Sequence, residues 1–233
     1  MVDSLLVIKD LIFDKKEFNF ATLKDAIDND FEGYESILHK IEQVPKFGSG
    51  EEGTIEIAQD LIDFCYEIYN SAENYRGGKY LVGYWSISYH TGFGMLTGAL
   101  PSGRKKGKAL TPGLTPAPGT TDILLPSIKS VAALNYLKMA NNASYNVKLV
   151  PHPGDSHSET LDLFTSYVQS FFDLDGMQWQ FNVISSDTLR DAMANPADYR
   201  WLLVRVSGYN AYFTKLNKNM QLEIIERHEY KPR

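Results

Sequence analysis

The run Arg205-Val206-Ser207-Gly208-Tyr209 puts a residue with no side chain directly behind a strongly apolar stretch, Trp201 to Val206. A glycine here has a chemical meaning beyond a turn. Loss of an α-hydrogen leaves a carbon radical between an amide nitrogen and a carbonyl, and both neighbours delocalise the electron once the centre and its two peptide planes are coplanar. A β-carbon would crowd that plane, so glycine is the residue that tolerates it best. The missing Cβ also admits unusual backbone angles at a loop tip. The bulky residues Leu202, Leu203, Val204 and Val206 behind it would hold the tip still. Arg205, Val206, Ser207 and Tyr209 are read as positioning this loop and Gly208 as the reacting residue. Taken alone, the pattern is also that of a strand ending in an ordinary turn.

Other groups offer less. His152, Asp155 and His157 lie close together in "HPGDSH", but third and fourth ligands of a metal site are not evident, so no metal is expected. "GALPSGRKKG" lacks the Lys-Ser/Thr ending of a phosphate-binding loop and reads as a structured basic turn, with its guanidinium packed against carboxylates. Tyr84, Tyr89 and His90 form a candidate pocket on an aromatic segment, with ordinary strand packing as the alternative. The single cysteine, Cys65, falls at an apolar helical position in "DFCYEIYN" and reads as a core residue.

These groups need elements to carry them. Residues 3–13 have helical apolar spacing, and a second helix is expected from Thr22, with Asp25 in capping-box relation. A third runs from about Glu32 to Gln43. The strongest helix spans about Thr54 to Ser71. From Tyr80 to His90 β-formers and aromatics predict a strand, and the Gly/Pro-rich residues 92–121 predict an ordered loop wrapped on other structure. A helix over 127–141, a strand over 145–150, a helix over 159–173 and a strand over 178–184 follow. Two short helical turns capped by Ser186 or Asp187 then lead to the strand before Gly208 and a last helix over 218–228. The fold class is α/β: a helical N-terminal third, then strands alternating with helices. The strands are few and widely separated, as in part of a larger barrel.

Length and composition narrow the function. The 233 residues allow a sizeable core, and 43% hydrophobic content indicates a packed chain. A net charge of −6 argues against a nucleic-acid partner. No run reaches membrane-spanning length, and Asp3, Lys9 and Asp10 argue against a signal peptide. One cysteine permits no internal disulfide, which suits a reducing cytoplasm.

Residues 204–230, "VRVSGYNAYFTKLNKNMQLEIIERHEY", resemble the C-terminal signature of the glycyl radical enzymes, the family of pyruvate formate-lyase and the glycerol and diol dehydratases. The match includes Phe213, Leu216 and Gln221 and the "EIIERHE" helix. Upstream, "DSLLVIKDLIFDKK", "FEGYESILHKI", "PKFG" and "TGALPSGRKKGKALTPGLTP" resemble family segments, although Ser102 stands where an aspartate is common. "Asn210-Ala-Tyr-Phe" and the basic "GRKKGK" favour the dehydratase and decarboxylase side. The resemblance implies a glycyl radical stored at Gly208 and the C-terminal part of a β/α barrel. It also implies three segments: 1–78 helical, 79–185 partial barrel and 186–233 the radical domain. The family's thiyl cysteine sits in a Gly-Cys-x-Glu context that Cys65 does not match. The expectation is therefore a component that is not catalytically complete alone. A large partner chain would carry the cysteine loop, and a small organic substrate would undergo C–C, C–O or C–N cleavage in the complex. No cofactor is expected to be bound; a separate activase with S-adenosylmethionine and a [4Fe-4S] cluster would install the radical. The alternative is a spare part that replaces an oxygen-cleaved C-terminus.

Overall fold

Four helices build the first third of the chain. The computed structural model describes residues 1–151, 154 and 156–231. Helix α1 (Val2–Val7) runs on into a π-helical stretch, Ile8–Asp14. Helices α2 (Phe20–Asp28) and α3 (Glu35–Glu42) pack with it around Leu6, Val7, Leu11, Leu23, Ala26, Phe31 and Ile41. The start of α2 is set by Asn19, whose Oδ1 accepts from the Thr22 N–H at 2.9 Å; Thr22 lies inside the helix instead of opening it. Helix α4 (Glu52–Ser71) sends Ala58 and Ile62 into the main core. Its last turns leave Phe64, Ile68 and Tyr69 exposed, and Cys65 is half-buried, not a core residue as its spacing had indicated.

The expected strand over Tyr80–His90 does not form. Ile87 takes φ +51°, which breaks an extended run, and only Tyr84 makes a bridge, to Ala143. From Tyr89 the chain turns into helix α5 (Tyr89–Leu96). High β-propensity is overridden here by tertiary context, and the Tyr84 bridge is the segment's one pairing among the described residues. Residues 97–123 then run without regular elements. They are held by backbone bonds such as Leu110 N–H to His90 O (3.0 Å) and Leu114 N–H to Ser144 O (2.8 Å).

Helix α6 (Leu124–Ala132) ends well before residue 141, and a 3₁₀ turn (Tyr136–Lys138) follows. Strand β1 (Tyr145–Leu149) is buried along its whole length. Helix α7 (His157–Asp173) carries it across to the parallel strand β2 (Trp179–Asn182). Ser156 and Glu159 form a capping box at the start of α7. Helix α8 (Ser186–Ala194) is capped by Ser185, one residue before the expected cap. Strands β3 (Leu203–Arg205) and β4 (Asn210–Tyr212) form an antiparallel hairpin. Helix α9 (Lys218–Glu226) and strand β5 (Glu229–Tyr230) complete the order. The architecture is thus mixed α/β with, among the described residues, two small sheets: a parallel one ordered β2-β1-β5 and the β3-β4 hairpin.

Beneath the hairpin, Leu189, Ala192, Leu202, Val204, Val206, Phe213, Met220 and Ile224 make one apolar cluster. Burying side chains of this size contributes roughly 1.5–3 kcal/mol each before entropy is counted. That cluster is the rigid base on which the loop 206–209 stands.

Candidate functional site

The pairing Arg205↔Asn210 leaves Val206 to Tyr209 as the turn of the hairpin, closed by a bond from Val206 N–H to Tyr209 O at 2.9 Å. Val206 and Ser207 are buried, Tyr209 is half-buried, and Gly208 is exposed at the tip. Gly208 has φ +91°, in the left-handed half of backbone space that glycine enters without penalty. A Cβ built on it would meet nothing within 4 Å. Backbone angle, not lack of room, is therefore what asks for glycine here.

Three side chains from outside hold the backbone of the hairpin at and around the loop, and a fourth reaches the side chain of Ser207. Asn182 on β2 pairs with Arg205 through two bonds: its Nδ2 donates to Arg205 O (2.7 Å), and its Oδ1 accepts from Arg205 N–H (2.8 Å). Gln180, two residues earlier on the same face of β2, accepts at Oε1 from Gly208 N–H (2.9 Å) and from Arg205 Nε (2.8 Å). Arg227, just past α9, donates from Nη2 to Val206 O (2.8 Å) and from Nη1 to Arg205 O (3.2 Å). Ser144 Oγ lies 3.3 Å from Ser207 Oγ. Arg205 Nη1 also donates to Asn210 Oδ1 (3.2 Å), which ties the two strands of the hairpin.

Arg227 is itself fixed by Glu223 one turn back. Its Nε and Nη2 each lie 2.8 Å from a carboxylate oxygen of Glu223 in a buried, two-pronged pair. Burial alone would push the Glu223 carboxyl up, but Arg227 and then His90 outweigh it and hold it below the usual carboxylate value. His90 Nε2 stands 3.3 Å from Glu223 Oε2 without the alignment of a hydrogen bond, and His90 Nδ1 is 2.9 Å from Ser86 Oγ. A chain of polar contacts thus links α5, α9 and the glycine loop.

The three candidate pocket residues have separate surroundings. His90 faces Glu223 in the interior, whereas Tyr89 is exposed and stacks on Phe93 with ring centres 5.7 Å apart. Tyr84 packs on the main core, and burial pushes its hydroxyl up to about 12. Arg104, expected to meet carboxylates, donates instead to the backbone carbonyls of Gly94, Gly98, Lys108 and Ala109. It staples its own loop, a use of guanidinium that spacing alone does not reveal. His152 and Asp155 lie outside the described residues. His157 opens α7, and among the described residues no group of three or more His, Cys, Asp or Glu side chains is placed to hold a metal ion. No described helix is long and apolar enough to cross a membrane.

Gln180, Asn182, Arg227 and Glu223 were not singled out by the sequence. Only the pair had a signal, the i,i+4 spacing of Glu223 and Arg227 in "EIIER". The two amides alternate along an aromatic strand and carry no local sign of their partners.

A family profile described as "Glycine radical" matches residues 110–214, and one described as "Pyruvate formate lyase-like" matches residues 1–94. The trans-4-hydroxy-L-proline dehydratase of Clostridioides difficile is 36% identical over 231 residues, covering 98% of this chain and 29% of that protein. An isethionate sulfite-lyase of Bilophila wadsworthia is 33% identical, covering 97% and 28%. The B12-independent glycerol dehydratase from Clostridium butyricum, solved with glycerol bound, superposes with a TM-score of 0.93 at 33% identity, covering 99% of this chain and 29% of that one. The chain therefore spans under a third of the length of these relatives.

Proposed function

This chain belongs to the glycyl radical enzymes, and from that premise we propose that Gly208 is its radical-storing residue. In this reading residues 186–233 are the radical domain, residues 79–185 are part of a β/α barrel and residues 1–78 are a helical segment. The thiyl cysteine lies on a second, larger polypeptide. Cys65 sits within α4, half-buried and close enough to Tyr84 to perturb its hydroxyl, which suits packing better than substrate attack.

The chemistry balances from step to step. A radical-SAM activase, the class of partner that glycyl radical enzymes use, transfers one hydrogen atom from the Gly208 α-carbon to the adenosyl radical that it makes from S-adenosylmethionine. The partner's cysteine thiol then gives a hydrogen atom to that carbon, which restores glycine and leaves a thiyl radical. The thiyl sulfur takes a hydrogen atom from a small organic substrate, the substrate radical breaks a C–C, C–O or C–N bond, and the product radical takes a hydrogen atom back from the thiol, which regenerates the thiyl radical. Glycine can then take back the radical. The dehydratases among the relatives favour C–O cleavage as the reaction class.

One observation carries this reading: Gly208 is exposed at φ +91° on the tip of a hairpin whose base is buried and whose backbone is held by the side chains of Gln180, Asn182 and Arg227. Such a tip presents a backbone Hα outward while keeping the α-carbon in place, as a hydrogen-atom relay requires. Beside it Leu203 and Tyr212 are exposed on the hairpin and Trp201 just before it, apolar surface suited to a partner chain. The match of residues 1–94 to the pyruvate formate lyase-like profile favours a catalytic component over a spare radical domain.

Anaerobic incubation with the activase and S-adenosylmethionine, read by electron paramagnetic resonance, tests the assignment. The expected result is a doublet from the remaining Hα, absent in Gly208→Ala. That variant should still fold, with a loss of about 1–2 kcal/mol for an alanine held at positive φ. A doublet that survives Gly208→Ala, or an intact wild-type chain that stays silent beside an active relative, overturns the proposal.

A further inference from the structure

Gln180 is only 5% exposed, on the central run of β2. Its Oε1 is shared by two donors, Gly208 N–H and Arg205 Nε. Neither group can accept, so the amide must turn its oxygen toward the loop. Its Nε2 is then buried with no partner among the described residues. A buried amide that uses only its acceptor half is unfavourable, and an aliphatic residue at this strand position would avoid the cost. What the amide supplies and an aliphatic residue does not is an acceptor for the N–H of Gly208.

We propose that Gln180 is a positioning residue for the radical, acting through the Gly208 N–H. The inference rests on Gly208 as the radical carrier. The α-carbon radical is stabilised when the nitrogen lone pair overlaps the half-filled orbital, which needs the preceding peptide plane coplanar with the trigonal carbon. At φ +91° that plane stands nearly perpendicular, so loss of the hydrogen atom must be accompanied by rotation about N–Cα. Gln180 holds the Ser207–Gly208 peptide, and Arg227 holds the two carbonyls before it. The rotation therefore falls on the Gly208 carbonyl side, toward Tyr209. The same bond draws the amide proton toward Oε1, leaves the nitrogen more electron-rich and shifts spin density from carbon to nitrogen.

Two measurements on the full chain test this. In the chain before activation, hydrogen exchange at Gly208 N–H should be protected despite its exposure, and Gln180→Ala should lower that protection by about tenfold, the scale of one hydrogen bond. Exchange elsewhere in β2 and β3 should be retained. After anaerobic activation, Gln180→Ala should give a lower radical yield and a wider Hα splitting, as more spin stays on carbon. Gln180→Glu, which keeps an acceptor, should restore the wild-type splitting. A wild-type doublet with the same splitting and yield in Gln180→Ala overturns the role of Gln180 and leaves Gly208 as the carrier. A silent wild-type chain overturns the carrier itself. An unprotected Gly208 N–H in the wild type overturns the contact whatever the radical does.

Discussion

Glu223 and Arg227 are one helical turn apart and both about 6% exposed, so neither charge is tolerable without the other. Glu223→Gln would leave the Arg227 guanidinium buried without its counter-charge, at a cost of about 3–5 kcal/mol. Because Arg227 carries the carbonyls of Arg205 and Val206, the glycine loop should loosen with it. The pH dependence has a definite sign. Glu223 titrates below its ordinary 4.5 when folded, so its contribution is complete above that value and is lost as pH falls through the depressed one. Urea unfolding between pH 7 and pH 3 should show the gap between wild type and Glu223→Gln closing at the acid end. At the same scale, Gly208 and Gln180 divide the work: one frees the backbone angle, the other fixes the peptide beside it.

At the scale of elements, α5 depends on another glycine for a different reason. A Cβ on Gly94 would lie 2.4 Å from Lys108 O and 2.7 Å from Ala109 Cα, backbone atoms with little freedom to yield. Helix α5 therefore touches the 97–110 loop backbone to backbone, with Arg104 bridging the carbonyls of both. Gly94→Ala should destabilise by about 1–3 kcal/mol through overpacking, and hydrogen exchange should rise first at Gly107 to Leu110. The strand expected over Tyr80–His90 fails for a separate reason: Ile87 at φ +51° breaks the extended run, and the segment's one pairing among the described residues is the Tyr84 bridge to Ala143. By contrast, α7 and its two flanking strands formed close to their expected bounds, because a helix-length apolar pattern between two short β-forming runs has few other solutions.

For the whole molecule, Lys148 is the tie between the parallel sheet and the C-terminal cluster. From β1 its Nζ donates to Ser186 Oγ (2.6 Å) at the start of α8 and to Ile225 O (2.8 Å) at the end of α9. Burial lowers its pKa to about 8, against the opposing pull of Glu229. Between about 8 and the ordinary 10.5 the unfolded chain holds a proton that the folded chain has released, so the Lys148 contribution to stability rises with pH across that window. The difference in unfolding free energy between wild type and Lys148→Met should grow by up to about 1.4 kcal/mol per pH unit there. Subtraction removes the buried tyrosines, whose raised pKa values act in the opposite direction at higher pH. The molecule also leaves Trp201 and Leu203 exposed beside the hairpin loop, and Tyr89, Phe93 and Leu96 exposed on α5.

The sequence by itself determined the family, through "RVSGY" and the residues after it, and the glycine on which the proposed chemistry rests. It determined most helices and both long parallel strands, because apolar period and capping residues are local signals. Tertiary structure alone decided what holds the glycine loop. Gln180 and Asn182 reach it from a strand more than twenty residues away, and Ser144 from over sixty. It also decided that Arg104 serves carbonyls and that the chain enters a helix at Tyr89 instead of continuing a strand. A hydrogen-bonding side chain announces its capacity in sequence but not its partner, since the partner is chosen by which backbones the packed core brings within 3 Å.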